Sequence, residues 1–171
     1  MPHVVFLRAA NVGGKNVFRP ARLAADLAHL DVVNVGAAGT FVVRGKASAA
    51  AIRRELVGRL PFESVIVVRP AAEVVAFVNS RPFAGVRFTK DLRGWVAVLA
   101  GRPTLRPSLP LQRPAGAAWS VRFDRVDGAF ALGLWQRRPK LLFPDVEPVL
   151  GVAGTVRYWE TFERIGAVLE A

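Results

Sequence analysis

The chain has 171 residues, 52% of them apolar and 22% charged, and it contains no cysteine. The apolar share excludes a disordered chain, and the length allows one domain or two small ones. Lacking cysteine, the chain has no disulfide scaffold, thiolate zinc site, iron–sulfur cluster or thiol nucleophile, and its formal charge of +11 bears on partners rather than fold.

Val4-Val5-Phe6-Leu7 is a continuous β-branched and aromatic run, the pattern of a strand buried on both faces. A turn-rich loop follows, Arg8-Ala-Ala-Asn11-Val-Gly13-Gly14-Lys15-Asn16. Pro20 suits the first turn of a helix, and Leu23, Leu27 and Leu30 give that helix one apolar face. Residues 32–35 predict a second strand, residues 36–39 a turn, and Phe41-Val42-Val43 a third strand. Ser48 is a good N-cap for a helix whose core face is Ile52, Leu56 and Leu60 and which Pro61 closes. Val65-Ile66-Val67-Val68 is a fourth strand. This β-α-β-β-α-β order over residues 3–69 is that of the ferredoxin-like α/β plait. Pro70 opens a further helix, with Val74, Val75 and Val78 on its buried side, and Pro82 bounds it.

The second half is less regular. Residues 95–99 form a strand. Pro103, Pro107, Pro110 and Pro114 exclude a normal helix over 101–117, where a second plait would place one. Trp119-Ser-Val121-Arg-Phe123-Asp alternates apolar and polar, as a half-exposed strand does, which puts Trp119 on the core side with Val121 and Phe123. Asp127-Gly128 signals a hairpin, and Phe130, Leu132 and Leu134 continue on the returning strand. Pro144 and Asp145 begin a short helix capped by Gly151. Thr155 is the expected N-cap of a last helix, with Trp159, Phe162, Ile165 and Leu169 as its apolar stripe. The expected class is therefore α+β, two ferredoxin-like α/β-plait subdomains of which the second is irregular, with helices on one face of each sheet. The expected division is 1–80 and 81–171, with the C-terminal helices in the second part.

No segment reaches the roughly 20 apolar residues of a membrane helix. The first apolar run is short, is broken by Arg8 and has no basic leader, so it reads as a poor signal peptide. The expectation is a cytoplasmic protein without a membrane partner. The charge is uneven. Residues 80–138 carry 11 basic and 3 acidic groups, a net +8, whereas residues 139–171 carry 3 and 5, a net −2. Arginine supplies 20 of the 24 basic residues, a bias that codon usage alone can produce.

The loop at residues 8–15 is the first candidate site. Paired Gly13 and Gly14 let backbone N–H groups turn towards an anion, Arg8 and Lys15 supply charge, and Asn11 supplies a fixed hydrogen bond. Its glycine spacing is neither that of a Walker loop nor that of a dinucleotide fingerprint, and a tight turn with solvated basic side chains explains the same residues. The second candidate is Thr155-Val-Arg157-Tyr158-Trp159-Glu-Thr161, where Arg157 and Trp159 at a helix start would hold a phosphate or stack a base. The structural alternative makes Thr155 a cap, Trp159 a core residue and Arg157 a solvated or ion-paired group. His3 and His29 stand apart from any carboxylate pattern, which is poor ground for a metal or a catalytic base. Asp124 and Asp127 flank the hairpin, where Asp is expected for backbone reasons. The expectation is no metal and no cofactor. Arginines across 81–138, with Trp95, Trp119 and Trp135 between them, suit single-stranded nucleic acid, although Gly39-Thr-Phe41-Val-Val-Arg44-Gly45 is only a shadow of an RNP1 pattern.

The opening Phe6-Leu-Arg8-Ala-Ala-Asn11-Val-Gly13-Gly14-Lys15-Asn16 resembles that of the bacterial family of domain of unknown function 1697, whose members run Leu-Arg-Gly-Ile-Asn-Val-Gly-Gly after a first strand. Val67-Val-Arg69, the Glu73 helix and Arg81-Pro82-Phe83 are similar to that family's strand, helix and Asn-Pro-Phe end. Residues 155–161 are similar to its Thr-Arg-Asn-Trp-x-Thr signature. Ala9-Ala10 stands in place of Gly-Ile, Ala37-Ala38-Gly39-Thr40 in place of a Ser-Gly-Asn turn, and Tyr158 in place of Asn. The resemblance implies a pair of α/β-plait subdomains and transfers no catalytic residue.

Three functions follow as expectations. The first is binding of an anionic ligand, a phosphorylated small molecule or nucleic acid. The second is an enzyme acting on a small anion in a cleft between the halves, with Arg8, Asn11, Lys15 and Arg157 as binding groups. The third is a homo-oligomeric module pairing through exposed sheet faces or edges.

Overall fold

β1 (His3–Leu7) is the strand around which the first half assembles: Val4, Val5, Phe6 and Leu7 are all fully buried. It pairs antiparallel with β3 (Thr40–Val43) on one side and β4 (Ile66–Pro70) on the other, and β2 (Val32–Asn34) lies outside β3. The order β2-β3-β1-β4, with α1 (Pro20–Asp26) and a 3₁₀ turn between β1 and β2 and α2 (Ala49–Arg59) between β3 and β4, is that of the plait. Ser48 caps α2, its Oγ accepting from the Ala51 N–H at 3.1 Å. The structure, a computed structural model, describes residues 1–8, 18–139 and 142–171.

The two faces of this sheet follow from the period of two along each strand. Val5, Leu7, Phe41, Val43, Ile66 and Val68 pack with Leu23 and Leu27 of α1 and Ile52 and Leu56 of α2. The opposite face carries Val4, Phe6, Val42 and Val67, also buried. There the sequence expectation of helices on one side only is corrected. α3 (Ala71–Asn79) and α5 (Trp159–Glu170) cover it: Phe6 stacks on Phe162 with centroids 5.7 Å apart, and Phe77 meets Phe162 edge-on at 5.8 Å. An all-apolar strand has no face that water can cover, so a second helical layer is required.

The chain divides into two compact units, residues 1–82 together with 160–171, and residues 83–159. This differs from the expected 81–171 segment in its last helix, which packs on β1 through Phe162 and holds its far end through the Arg44 guanidinium, a donor to the Val168 carbonyl at 2.8 Å.

The second unit is built on β5 (Leu92–Leu99), β6 (Leu111–Arg113), β7 (Val121–Asp127), β8 (Phe130–Gln136) and β9 (Gly154–Tyr158), in the order β6-β7-β8-β5-β9 and antiparallel throughout. Leaving out β6, the order repeats that of the first sheet. Where the first unit has α1, the proline-rich segment runs extended and contributes β6 at the edge, as proline in place of N–H donors dictates. The hairpin closes one residue later than the Asp127-Gly128 signal suggests. Asp127 still pairs with Phe130, and Gly128 at φ 58 is the first of two loop residues, the arrangement of a type II′ turn. α4 (Glu147–Leu150) ends at Gly151, φ 70, as expected.

Trp95 centres this unit's core. It is fully buried, donates from Nε1 to the Leu134 carbonyl at 3.1 Å and meets Phe123 edge-on at 5.1 Å. Gly133, opposite Trp95, is obligatory, since a Cβ there would sit 1.7 Å from the Arg122 carbonyl oxygen and 2.9 Å from the indole. Trp119 corrects the alternation reading. It precedes β7, is half-buried, and lies under the Arg122 guanidinium at 5.5 Å, while Ser120 takes the buried position.

Truncating Phe162 removes the ring that both Phe6 and Phe77 contact. The Phe162→Ala variant is expected to lose about 3–5 kcal/mol of stability, read as a lower denaturant midpoint; an unchanged midpoint would show that α5 is not part of the first core.

Candidate functional site

Arg8 sits just past β1 with its backbone fixed on both sides. Its N–H donates to the Val65 carbonyl at 3.0 Å, and its own carbonyl accepts from the Ser64 hydroxyl at 2.9 Å. The side chain is half-buried. Asn11, Gly13, Gly14 and Lys15 lie outside the described residues. The chain returns at Phe18, whose ring meets Phe62 edge-on at 5.7 Å and Phe41 at 6.5 Å. Both ends of the loop are therefore held by residues 62–65. That segment lines a cavity of about 540 Å³ formed by Val57, Leu60, Pro61, Phe62, Glu63, Ser64 and Ile66.

The C-terminal cluster is placed differently from expectation. Thr155 is not a helix cap. It lies within β9, opposite Val98, 1% exposed, and its hydroxyl has no hydrogen-bond partner among the described residues. Helix α5 begins only at Trp159, because β9 pairs with β5 through Tyr158. Arg157 is buried rather than solvated, at 8% exposure opposite Val96, with Nη1 donating to the Val156 carbonyl at 2.9 Å. Desolvation pulls its pKa down to about 10, which leaves the guanidinium charged at neutral pH. Trp159 is half-buried and packs edge-on against Phe83 at 5.3 Å, with Phe83 in turn on Phe88 at 5.5 Å. Arg157 and Trp159 thus share one short segment of the second unit, and Arg8 belongs to the first.

The strand geometry turns Tyr158 to the face opposite Arg157. The Arg93 guanidinium lies over its ring at 3.5 Å, and Trp135 meets it edge-on at 6.2 Å. Trp135, Arg137, Leu142, Phe143 and Tyr158 line a cavity of about 320 Å³ beside them. Taking Thr155 as a helix start hid the alternation that separates Arg157 from Tyr158, and no local pattern in the sequence marks Phe143 as lining a cavity. Several arginines of the basic middle have structural partners. Arg122 binds Asp124 at 2.5 Å, and Arg138 donates to the Gln136 side chain at 2.8 Å and to the Trp119 carbonyl at 3.3 Å.

The histidines lie on separate elements. His29 stands 3.6 Å from Glu55, which also pairs with Arg59. His3 opens β1 between Val43 and Pro70, and its Nδ1 is buried with no partner among the described residues. Burial, with the neighbouring N-terminal charge second, pulls the His3 pKa below 6.5. Among the described residues no group of three or more His, Cys, Asp or Glu is placed to hold a metal ion, and no helix is long and apolar enough to cross a membrane.

The family described as "Protein of unknown function (DUF1697)" matches residues 1–117. No curated protein matches the chain. Among solved structures, the conserved bacterial protein SP0830 from Streptococcus pneumoniae is similar, with a TM-score of 0.63 at 16% identity over 98% of both chains, a likeness of fold.

Because the folded pKa of His3 lies below its ordinary 6.5, the unfolded chain takes up the proton first as pH falls. Stability is therefore complete above about pH 6.5 and declines as pH drops through the folded value. Urea midpoints of wild type and His3→Gln between about pH 7.5 and 5 check this: the acid-side decline should shrink in the variant, and identical slopes would contradict it.

Proposed function

The chain belongs to the DUF1697 family of proteins of unknown function, and we propose that it is a cytoplasmic binding module for an anionic, phosphate-bearing ligand held by the basic loop that follows β1. The observation that carries this reading is the fastening of both loop ends to one segment. Arg8 is tied through its backbone to Ser64 and Val65, and Phe18 is packed on Phe62. Residues 62–64, to which Arg8 and Phe18 are held, line a cavity of about 540 Å³, within the range of about 300–1,000 Å³ typical of ligand sites.

The residue types support the same chemistry. Gly13 and Gly14 give backbone N–H groups the freedom to converge on an oxyanion, Lys15 and Arg8 bring charge, and Asn11 brings a neutral donor. Among the described residues Glu63 is the one carboxylate lining the cavity, and it is solvent-exposed. An exposed carboxylate is screened by water and salt, so it opposes an incoming anion only weakly.

Titration calorimetry with inorganic phosphate and with pyrophosphate, at about 20 and 200 mM salt, tests the proposal. Binding at low salt is expected to weaken with added salt, and Arg8→Ala or Lys15→Ala should weaken it by about tenfold each, the worth of a charge-assisted hydrogen bond. Absence of heat at low salt, or affinities indifferent to both substitutions, would overturn it.

A further inference from the structure

From the cavity beside Tyr158 we infer a second ligand site in residues 83–159, one that takes a planar aromatic ring carrying a phosphate, as in a nucleoside monophosphate. It is independent of the loop after β1.

The walls of the cavity are flat and apolar. Trp135, 9% exposed, is locked in orientation by the hydrogen bond from its Nε1 to the Leu142 carbonyl at 3.0 Å. Tyr158 stands edge-on to it and is itself pinned by the Arg93 guanidinium at 3.5 Å. Both rings are thus fixed before any ligand arrives, so little side-chain entropy is lost on binding. Phe143 is the exception to good burial. It is 64% exposed at the rim, the largest exposure of any described aromatic ring. An exposed ring bordering a cavity with two fixed rings is the arrangement that gains most from an inserted planar group, since stacking would remove its apolar surface from water.

The charge of the cavity sets the rest of the ligand. Arg137 is exposed and lines it, Arg93 lies behind Tyr158, and no carboxylate lines it among the described residues. A guanidinium at the mouth of an apolar slot favours an oxyanion attached to the ring system, through a two-pronged hydrogen bond of the kind phosphate accepts. At about 320 Å³ the cavity lies at the small end of ligand sites, which suits one ring system with one phosphate rather than a dinucleotide. Its lining side chains come from β8, β9 and the segment after β8, so the site lies at the end of the sheet where β5 begins and β8 and β9 end.

Calorimetry with adenosine 5′-monophosphate, adenosine, inorganic phosphate and a single-stranded hexanucleotide on the full chain tests the inference. The monophosphate should bind at least about tenfold more tightly than adenosine or phosphate alone, as expected if ring and phosphate each contribute. Phe143→Ala and Arg137→Ala, both solvent-facing positions that the fold tolerates, should each weaken it about tenfold. Arg54→Ala, the same charge change on exposed α2, and Lys15→Ala should leave it unchanged. Tighter binding of the hexanucleotide, lost in the same two variants, supports the site with a nucleic-acid strand as the source of the stacked base. Equal affinity for adenosine and its monophosphate would overturn the phosphate requirement, and equal affinity for phosphate and the monophosphate would overturn the ring. No binding at millimolar concentration, or a loss confined to Lys15→Ala, would overturn the site itself while leaving the loop reading to its own titration.

Discussion

The constraint on which the first unit depends is the burial of both faces of β1. Val4 and Phe6 point one way, Val5 and Leu7 the other, and none of the four has a polar atom beyond its backbone. A plait built only from residues 3–69 would cover one face with α1 and α2 and leave Val4, Phe6, Val42 and Val67 against water. At roughly 25 cal/mol per Å² of apolar surface, each such side chain left exposed costs about 1.5–3 kcal/mol. α3 follows β4 directly and covers part of the gap. Phe162 of α5 completes it by stacking on Phe6, which is why a helix more than 150 positions along the chain folds with the first strand. The exposed plait face on which a sheet-to-sheet homo-oligomer would depend is therefore absent from the first unit.

This constraint was half legible in the sequence. An unbroken apolar run announces a strand buried on both sides, and the heptad-like spacing of Leu23, Leu27 and Leu30 announces the helix that meets one of them. The partner for the other face was not legible, because Phe162 lies in an apolar stripe that would suit any core. The same limit explains Thr155. A threonine before a helix is an ordinary cap, and only the pairing of residues 154–158 with β5 shows that the strand continues to Tyr158. Local chemistry gave two valid answers there, and long-range pairing selected one. The glycines behave similarly. Gly128 was readable from its turn, whereas Gly133 is fixed by a carbonyl and an indole from other strands, which no local pattern encodes.

The positive charge divides on the same lines. The arginines across 81–138, with tryptophans between them, suited single-stranded nucleic acid by sequence. Within the fold, Arg122 is engaged by Asp124 and Trp119, Arg138 by Gln136 and the Trp119 carbonyl, and Arg93 by the Tyr158 ring. Arg157, from the C-terminal segment, is buried. Such arginines use their planar heads for packing and directional hydrogen bonds, which lysine does less well. Arg137, by contrast, is exposed at the mouth of the aromatic cavity, and Arg102 and Arg106 line a cavity of their own.

The repeated strand order sharpens the contrast between those two places. In both sheets the first strand is followed by a basic segment, residues 8–15 in one and the segment holding Arg102 and Arg106 in the other. A cavity of about 440 Å³ accompanies the second, lined by Arg102, Pro103, Leu105, Arg106, Pro107, Leu109, Val126 and Leu150. The two segments differ in the backbone. Paired glycines present N–H groups that can converge on an anion, while each proline deletes one and fixes φ. Residues 8–15 contain no proline, whereas in the second unit Pro103 and Pro107 lack an N–H and the Thr104 and Leu105 N–H groups are taken by the Leu150 carbonyl. The second unit compensates at the other end of its sheet, where side chains rather than backbone carry the recognition, with rings for a planar group and a guanidinium for its charge. Similar strand order thus carries two different segments after its first strand, glycine-bearing in one unit and proline-bearing in the other, and the two differ in the backbone donors they hold.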